Sequence, residues 1–321
     1  MGTVVALVGQ VGGAKLAEGL YRLRGKDLAV VVNTGDDYEH LGLSFSPDLD
    51  TVLYALAGIA SPSAGWEPQG ETHNLFRMLK SIGGPDRLPL GDQAVALAIL
   101  RADGLRNDRR LTEITLDFAR HLGVQARILP MSDDPVRTWV ELDDGSVSFQ
   151  DYFTQLSCEP PVRGFRYAGA DAARIPDELL DALHAPDLEA VVIGPSNPYH
   201  VIRPILAVAG MQELLKKRGA PVIAVSPIVG GKALKGSAGK IMSELGHEVS
   251  PRAVALEYLR LIDGFVIDGE DEAQADDILS SGIEVMTANT VMKNAEDRQR
   301  LARTVLDFAH ALRARREEQD A

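Results

Sequence analysis

A single cysteine, Cys158, in 321 residues leaves no partner for an intrachain disulfide and no thiol cluster for zinc. That scarcity suits a reducing compartment. No uninterrupted apolar run reaches the roughly 18 residues that mark a membrane-spanning helix. The apolar start, residues 1–8, passes directly into glycines without a basic leader or a cleavage pattern. A soluble, cytoplasmic chain is therefore expected. Positive charge is also short: 33 Lys and Arg stand against 46 Asp and Glu, a formal charge of −13. Such a surface repels a phosphate backbone, which argues against a nucleic-acid partner. Long Pro-, Gly- or Ser-rich linkers and fixed-period repeats are missing too, so one continuous unit over residues 1–321 is expected.

What is present is a large apolar fraction, 45% of residues against 25% charged, enough for a substantial core. Residues 3–8 form a short apolar, β-branched run that ends at Gly9, and residues 14–23 space Leu16, Leu20 and Leu23 at helical intervals. Residues 28–32 are again continuously apolar, as in a strand covered on both faces of a parallel sheet. The alternation returns with strands predicted at 190–193, 222–225, 265–267 and 283–286. Helices are predicted around 205–217, from Ser237, from Pro251 and over 293–315. The fold class implied is α/β, a doubly wound, mostly parallel Rossmann-like sheet. Between the halves, helical patterns at 51–56, 74–79, 95–100 and 114–122 precede a hairpin at 136–149 that turns at Asp144-Gly145. These pieces predict a helical and β-hairpin insertion over about 48–170, packed on the doubly wound sheet and forming one side of a cleft.

In such sheets ligands bind beyond the C-terminal strand ends, so the loops that follow the strands are the candidates for chemistry. The first, Gly9-Gln10-Val11-Gly12-Gly13-Ala14-Lys15, could let backbone amides approach an anion at the start of the next helix. It matches neither GxGxxG nor the Walker pattern, and a tight strand-to-helix turn would use the same glycines. The second places Asp36, Asp37, Asp48 and Asp50 in one connection, where mutual repulsion calls for a cation such as Mg²⁺. Capping of a helix near Pro47 by Ser46 or Asp48 accounts for one or two of these acids, but not four.

Two further loops offer polar edges. Gly194-Pro195-Ser196-Asn197-Pro198 is fixed by prolines and carries donors and acceptors suited to a base or phosphate, or to a plain turn. Ser226-Pro227-Ile228-Val229-Gly230-Gly231-Lys232, with Lys235 and Ser237 behind it, brings cations to the same sheet edge. Pro130 to Pro135 reads as surface turns. His40, His73, His121 and His247 show neither HxxxH spacing nor a triad, His40 being the exception to watch beside the acidic loop. Trp66 is a candidate for stacking on a planar ring or for plugging a core.

Several of these stretches together resemble the 2-phospho-L-lactate transferase (CofD/FbiA) family of coenzyme F420 biosynthesis. They are Gly12-Gly13-Ala14-Lys15, Val32-Asn33-Thr34-Gly35-Asp36-Asp37, Ser46-Pro47-Asp48-Leu49-Asp50-Thr51, Leu129-Pro130-Met131-Ser132-Asp133-Asp134, Phe149-Gln150, the Gly194 to Pro198 loop and Ser226 to Lys232. The resemblance implies a metal-dependent transfer of a phosphohydroxyacid group, 2-phospholactyl or its enolpyruvyl or glyceryl equivalent. The donor would be guanosine diphosphate-activated, the acceptor the deazaflavin alcohol Fo, and GMP the leaving product. It further implies that Asp36 and Asp48 hold Mg²⁺, that Asp50 supports that site or touches the acceptor, and that the Gly12 and Gly13 amides cradle the diphosphate. Ser196 and Asn197 would hold the guanosine part and Lys232 would lie near the donor, with Lys15, Asn33, Asp37 and Trp66 counted among the binding positions. A homodimer is expected on the same ground.

The chain departs from the family pattern in two places. Gly91-Asp92-Gln93-Ala94 stands where Gly-Asp-Arg-Asp is usual, so Gln93 replaces an arginine associated with Fo. Gln10 occupies a position that is commonly glycine. The alternative these departures leave is a nucleotide or nucleotide-sugar binding regulatory homologue without turnover. A nicotinamide-dependent oxidoreductase is opposed by the missing GxGxxG.

Overall fold

The computed structural model describes residues 2–86, 88–217, 219–234 and 236–319. Seven strands form its central sheet: β1 (Thr3–Val8), β2 (Leu28–Val32), β3 (Arg127–Pro130), β4 (Leu188–Ile193), β5 (Val222–Val225), β6 (Gly264–Asp268) and β7 (Glu284–Ala288). Every pairing is parallel, in the order β7-β6-β5-β4-β1-β2-β3. The predicted α/β doubly wound sheet is therefore the observed one. β1, β2, β4 and β5 are buried along their whole length, the consequence of helices on both faces. After β3 the chain crosses back to the other side of β1, so the strand order reverses between β1 and β4. That reversal opens the crevice at which such sheets bind ligands.

On one face α1 (Gln10–Arg24) and α2 (Pro47–Leu56) pack with the terminal helix Ala295–Gln319, burying Leu16, Leu20, Leu53, Leu301 and Val305 against Val4, Ala6 and Val30. The opposite face buries Val5, Leu7 and Val191 beneath Leu179, Tyr199, Ile205 and Ile241. α3 (Asn74–Ser81), α4 (Asp92–Arg106) and α5 (Leu111–His121) follow α2. The hairpin strands Arg137–Leu142 and Gly145–Ser148 gain a third antiparallel partner, Gly164–Ala168.

Three expectations need correction. The segment 48–170 is not one insertion: β3 lies inside it and joins the main sheet, and Leu49, Val52 and Leu53 of α2 belong to the main core. β3 ends in Pro130, a residue that marks a turn in sequence but is tolerated at a sheet edge, where the Met131 amide donates to Val32 O instead. Helix α1 starts at Gln10 rather than Ala14, which moves Gly12 and Gly13 from a loop into a helical turn. The helix predicted over 205–217 is divided by Val208 to Gly210, with Gly210 at φ 82°.

Candidate active site at the strand-order reversal

The crevice is closed at its base by a two-way hydrogen bond between the loops after β1 and β4. Ser196 Oγ donates to Gly9 O (2.8 Å) and accepts from Gly9 N (3.2 Å). The first turn of α1 presses against the same loop. A methyl group on Gly12 would overlap the Pro195 carbonyl oxygen, and one on Gly13 would overlap Ser196 Oγ and stand 2.8 Å from Val8 Cβ. These glycines therefore permit close helix-to-loop packing instead of forming an extended phosphate loop. Ser196 uses its hydroxyl in the latch.

The positive end of α1 faces a carboxylate. Asp48, buried in the first turn of α2, accepts the Gln10 amide on Oδ1 (2.9 Å) and Asn33 Nδ2 on Oδ2 (3.0 Å). Asn33 Nδ2 also donates to His200 O (3.2 Å), while Asn33 Oδ1 accepts the Gly35 amide (2.8 Å). Asp36 Oδ2 lies 3.1 Å from His200 Nδ1, and its other oxygen, Oδ1, is buried without a partner. The His200 ring stacks on Phe149 with centroids 3.9 Å apart, and its Nε2 lies 3.5 Å from Gln10 Nε2.

Burial drives Asp36 well above the usual carboxylate range. It pushes Asp48 up to about 7, with the charge of Asp36 adding to the effect. Burial also lowers His200 to about 4, so the imidazole is neutral at pH 7. Two buried acids thus lie close enough for the charge of one to raise the other. Among the described residues no three His, Cys, Asp or Glu groups converge as a self-sufficient metal site. Two carboxylates and a bare buried oxygen fit Mg²⁺, which keeps water and substrate phosphate in its remaining positions.

The other two acids separate from this pair. Asp37 Oδ2 accepts from Ser46 Oγ (2.7 Å), so that hydroxyl serves Asp37 and not, as one expectation had it, the amides of α2. Burial pushes Asp37 up to about 8 against the opposing pull of Arg137. Asp50 is ion-paired to Arg101 of α4, both side chains being out of water, and Arg101 Nη1 also donates to Ser44 O (3.2 Å). This pairing engages both Asp50 oxygens and holds α2 against α4. In front of Asp36 and Asp37 lies a cavity of about 180 Å³ lined by Gly35, Arg137, Trp139, Phe149 and Gln150. It adjoins one of about 330 Å³ reaching Tyr38, His40 and Asp151.

The remaining predicted positions lie at varied depth. Asn197 Oδ1 accepts the amides of Tyr199 (2.9 Å) and His200 (3.4 Å) at the start of a single π-helical turn, Pro198–Ile202, while Nδ2 is buried and unpartnered. That geometry leaves Asn197 a donor for a ligand. Lys15 Nζ donates to Met292 O (3.0 Å) and ties α1 to the loop after β7. Lys232 is exposed in a two-residue strand after β5, and Lys235 lies outside the described residues. Trp66 is 59% exposed. Its carbonyl accepts from Thr51 Oγ1 (3.4 Å) and the preceding Gly65 approaches Val11, so Trp66 stands at the rim near the first turns of α1 and α2. Gln93 is exposed in the first turn of α4, its amide held by Glu71 (2.9 Å) and its side-chain Nε2 3.5 Å from Gln69 O.

His200 and Arg101 escaped the reading of the sequence. His200 lies two residues beyond the Ser196-Asn197-Pro198 loop, a clue that a search for histidine spacing does not use. Arg101 has no local signal, since its partner lies 51 residues away.

Comparison with known proteins places the chain in a family. The sequence profile of a family described as 2-phospho-L-lactate transferase CofD matches residues 4–307. A 2-phospho-L-lactate transferase of Methanosarcina mazei is 38% identical over 304 residues, covering 94% of this chain and 99% of that protein. A phosphoenolpyruvate transferase of Kitasatospora aureofaciens is 35% identical over 318 residues, covering 97% and 98%. Among solved structures, a upf0052 family member from Bacillus halodurans superposes with a TM-score of 0.60 over 95% of this chain and 98% of that one. At 17% identity that likeness concerns the fold alone.

Proposed function

Because the chain belongs to the 2-phospho-L-lactate transferase (CofD) family and is a transferase, we propose that it moves a phosphohydroxyacid group from a guanosine diphosphate-activated donor to the ribityl hydroxyl of Fo in coenzyme F420 biosynthesis. The hydroxyl oxygen forms a bond to the phosphorus bearing the small acid. The bond from that same phosphorus to the bridging anhydride oxygen breaks, GMP leaves carrying that oxygen and the bonding electrons, and the hydroxyl proton passes to solvent. In-line displacement of this kind asks the protein for alignment and charge neutralisation more than for covalent help.

Asp36 and Asp48 are the residues that would hold Mg²⁺, whose chemistry when bound is to neutralise the charge that gathers on the phosphoryl oxygens. Asp48 is oriented by Asn33 Nδ2 and the Gln10 amide, and Asp36 by His200. The unpartnered Asn197 Nδ2 offers a donor to the nucleotide. The cavities flanked by Trp139, Phe149 and Gln150, together with Trp66 at the rim, supply aromatic walls for the planar acceptor. A homodimer belongs to the same proposal.

The observation that carries this reading is the pairing of Asp36 and Asp48 at the strand-order reversal, with Asp36 Oδ1 buried and bare. Incubation with Mg²⁺, Fo and a guanylylated three-carbon acid phosphate should release GMP, and Asp48→Asn should lower turnover by roughly 100- to 1,000-fold, in the range of a lost electrostatic contact. Full activity in excess chelator would refute it. Tight guanine-nucleotide binding without product would favour the regulatory alternative.

A further inference from the structure

We propose that His200 is a positioning residue: by donating its Nδ1 proton to Asp36 Oδ2, it turns the bare oxygen Oδ1 toward the ligand. The inference rests on the assignment of Asp36 and Asp48 as the divalent-cation carboxylates.

The ring is held from every side. Phe149 stacks on it at 3.9 Å, and the His200 amide lies 3.4 Å from Asn197 Oδ1. The His200 carbonyl accepts Asn33 Nδ2 at 3.2 Å, so the backbone of His200 is joined to the side chain that orients Asp48. His200 Nε2 faces the Gln10 side-chain Nε2 at 3.5 Å, a donor, which makes the ring nitrogen the acceptor and leaves the proton on Nδ1. Nδ1 then donates to Asp36 Oδ2 at 3.1 Å.

Gln10 closes the arrangement, because its backbone amide bonds Asp48 Oδ1 while its side chain meets His200. It does so from a left-handed conformation, φ 54°, that favours glycine. A histidine that merely filled the core would be satisfied with any acceptor. Here the acceptor is a carboxylate whose second oxygen makes no hydrogen bond of good geometry, with the Thr138 and Asn33 side chains as its polar neighbours, the arrangement in which an outer hydrogen bond fixes the direction of an inner ligand.

The test is Mn²⁺ titration of the full chain, with free Mn²⁺ read by electron paramagnetic resonance. Wild type should show one saturable site and Asp48→Asn should lose it. His200→Leu, which keeps an apolar body but no donor, should weaken Mn²⁺ binding by about 10- to 100-fold. His200→Asn, which retains a side-chain N–H near the Nδ1 position, should restore affinity to within a few-fold of wild type. Wild-type affinity in His200→Leu, or equal losses in the Leu and Asn variants, would overturn the positioning role alone. A wild-type protein without a saturable site, or an Asp48→Asn protein that binds as tightly, would overturn the metal assignment and this inference with it. Should His200→Leu fail to fold, Gln10→Gly takes its place, since glycine accepts the backbone at that position. Freed from the Gln10 amide, the ring should hold Asp36 less well and Mn²⁺ should bind several-fold more weakly, whereas unchanged affinity would count against the role.

Discussion

Arg101 and Asp50 form an ion pair almost wholly removed from water, joining α4 to the first turn of α2. Water no longer screens either charge, so removing one partner strands the other. Arg101→Met should therefore destabilise the fold by about 3–5 kcal/mol, measured by urea denaturation. The double variant Arg101→Met, Asp50→Leu should recover most of that loss. If the single variant were as stable as wild type, the pair would not be the clamp between these helices.

Gly12→Ala tests the contact between α1 and the loop after β4. The new methyl meets a backbone carbonyl, that of Pro195, which cannot rotate aside as a side chain could. A loss of about 1–3 kcal/mol is expected, the usual cost of overpacking. GDP affinity should fall with it, because separating α1 from this loop disturbs the Gly9–Ser196 latch. Calorimetric GDP titration beside thermal unfolding reads both effects.

The sheet was legible in the sequence because its buried strands are continuous apolar runs such as residues 28–32, and local pattern suffices for them. β3 was not, because it is short, lies at an edge and ends in proline. Asp36 and Asp48 could be picked out as excess charge in one connection. Their separation from Asp50 could not, since it depends on Arg101 arriving from a distant helix. The packing role of the first glycines was hidden for a related reason: Gly12 and Gly13 answer to the proximity of Pro195 and Ser196, a contact made across more than 180 residues. His200 reaches Asp36 over a sequence distance of 164 and leaves no local trace.

Gln93→Arg addresses the acceptor. The Gln93 amide is already fixed by Glu71, and its side chain projects from the start of α4 into solvent. An arginine built there gains a fixed charge and a planar donor fork without displacing buried atoms. On the proposed function, fluorescence titration with Fo in the presence of GDP and Mg²⁺ should show several-fold tighter Fo binding and unchanged GDP affinity. No change for Fo would mean that position 93 lies outside the acceptor site in this chain.

The titration of the buried acids sets a direction for stability against pH. Asp48 and Asp37 are pushed by burial from the ordinary value of 3.8 up to about 7 and about 8, and Asp36 is raised too. The folded protein therefore holds these protons more tightly than the unfolded chain, and the stability linked to them is lost as pH rises through the folded values. His200 acts in the opposite sense: lowered to about 4 from 6.5, it contributes stability above pH 6.5 that disappears as pH falls toward 4. Below pH 6.5 the two effects oppose each other, while between pH 6.5 and 8 only the carboxylates change. In excess chelator the melting temperature should thus fall from pH 6.5 to 8, and Asp48→Asn should make the fall shallower. Saturating Mg²⁺ should offset it, because a bound cation favours the ionised carboxylates. A melting temperature that rises over this interval in chelator would show that these acids are already ionised and solvated in the folded protein.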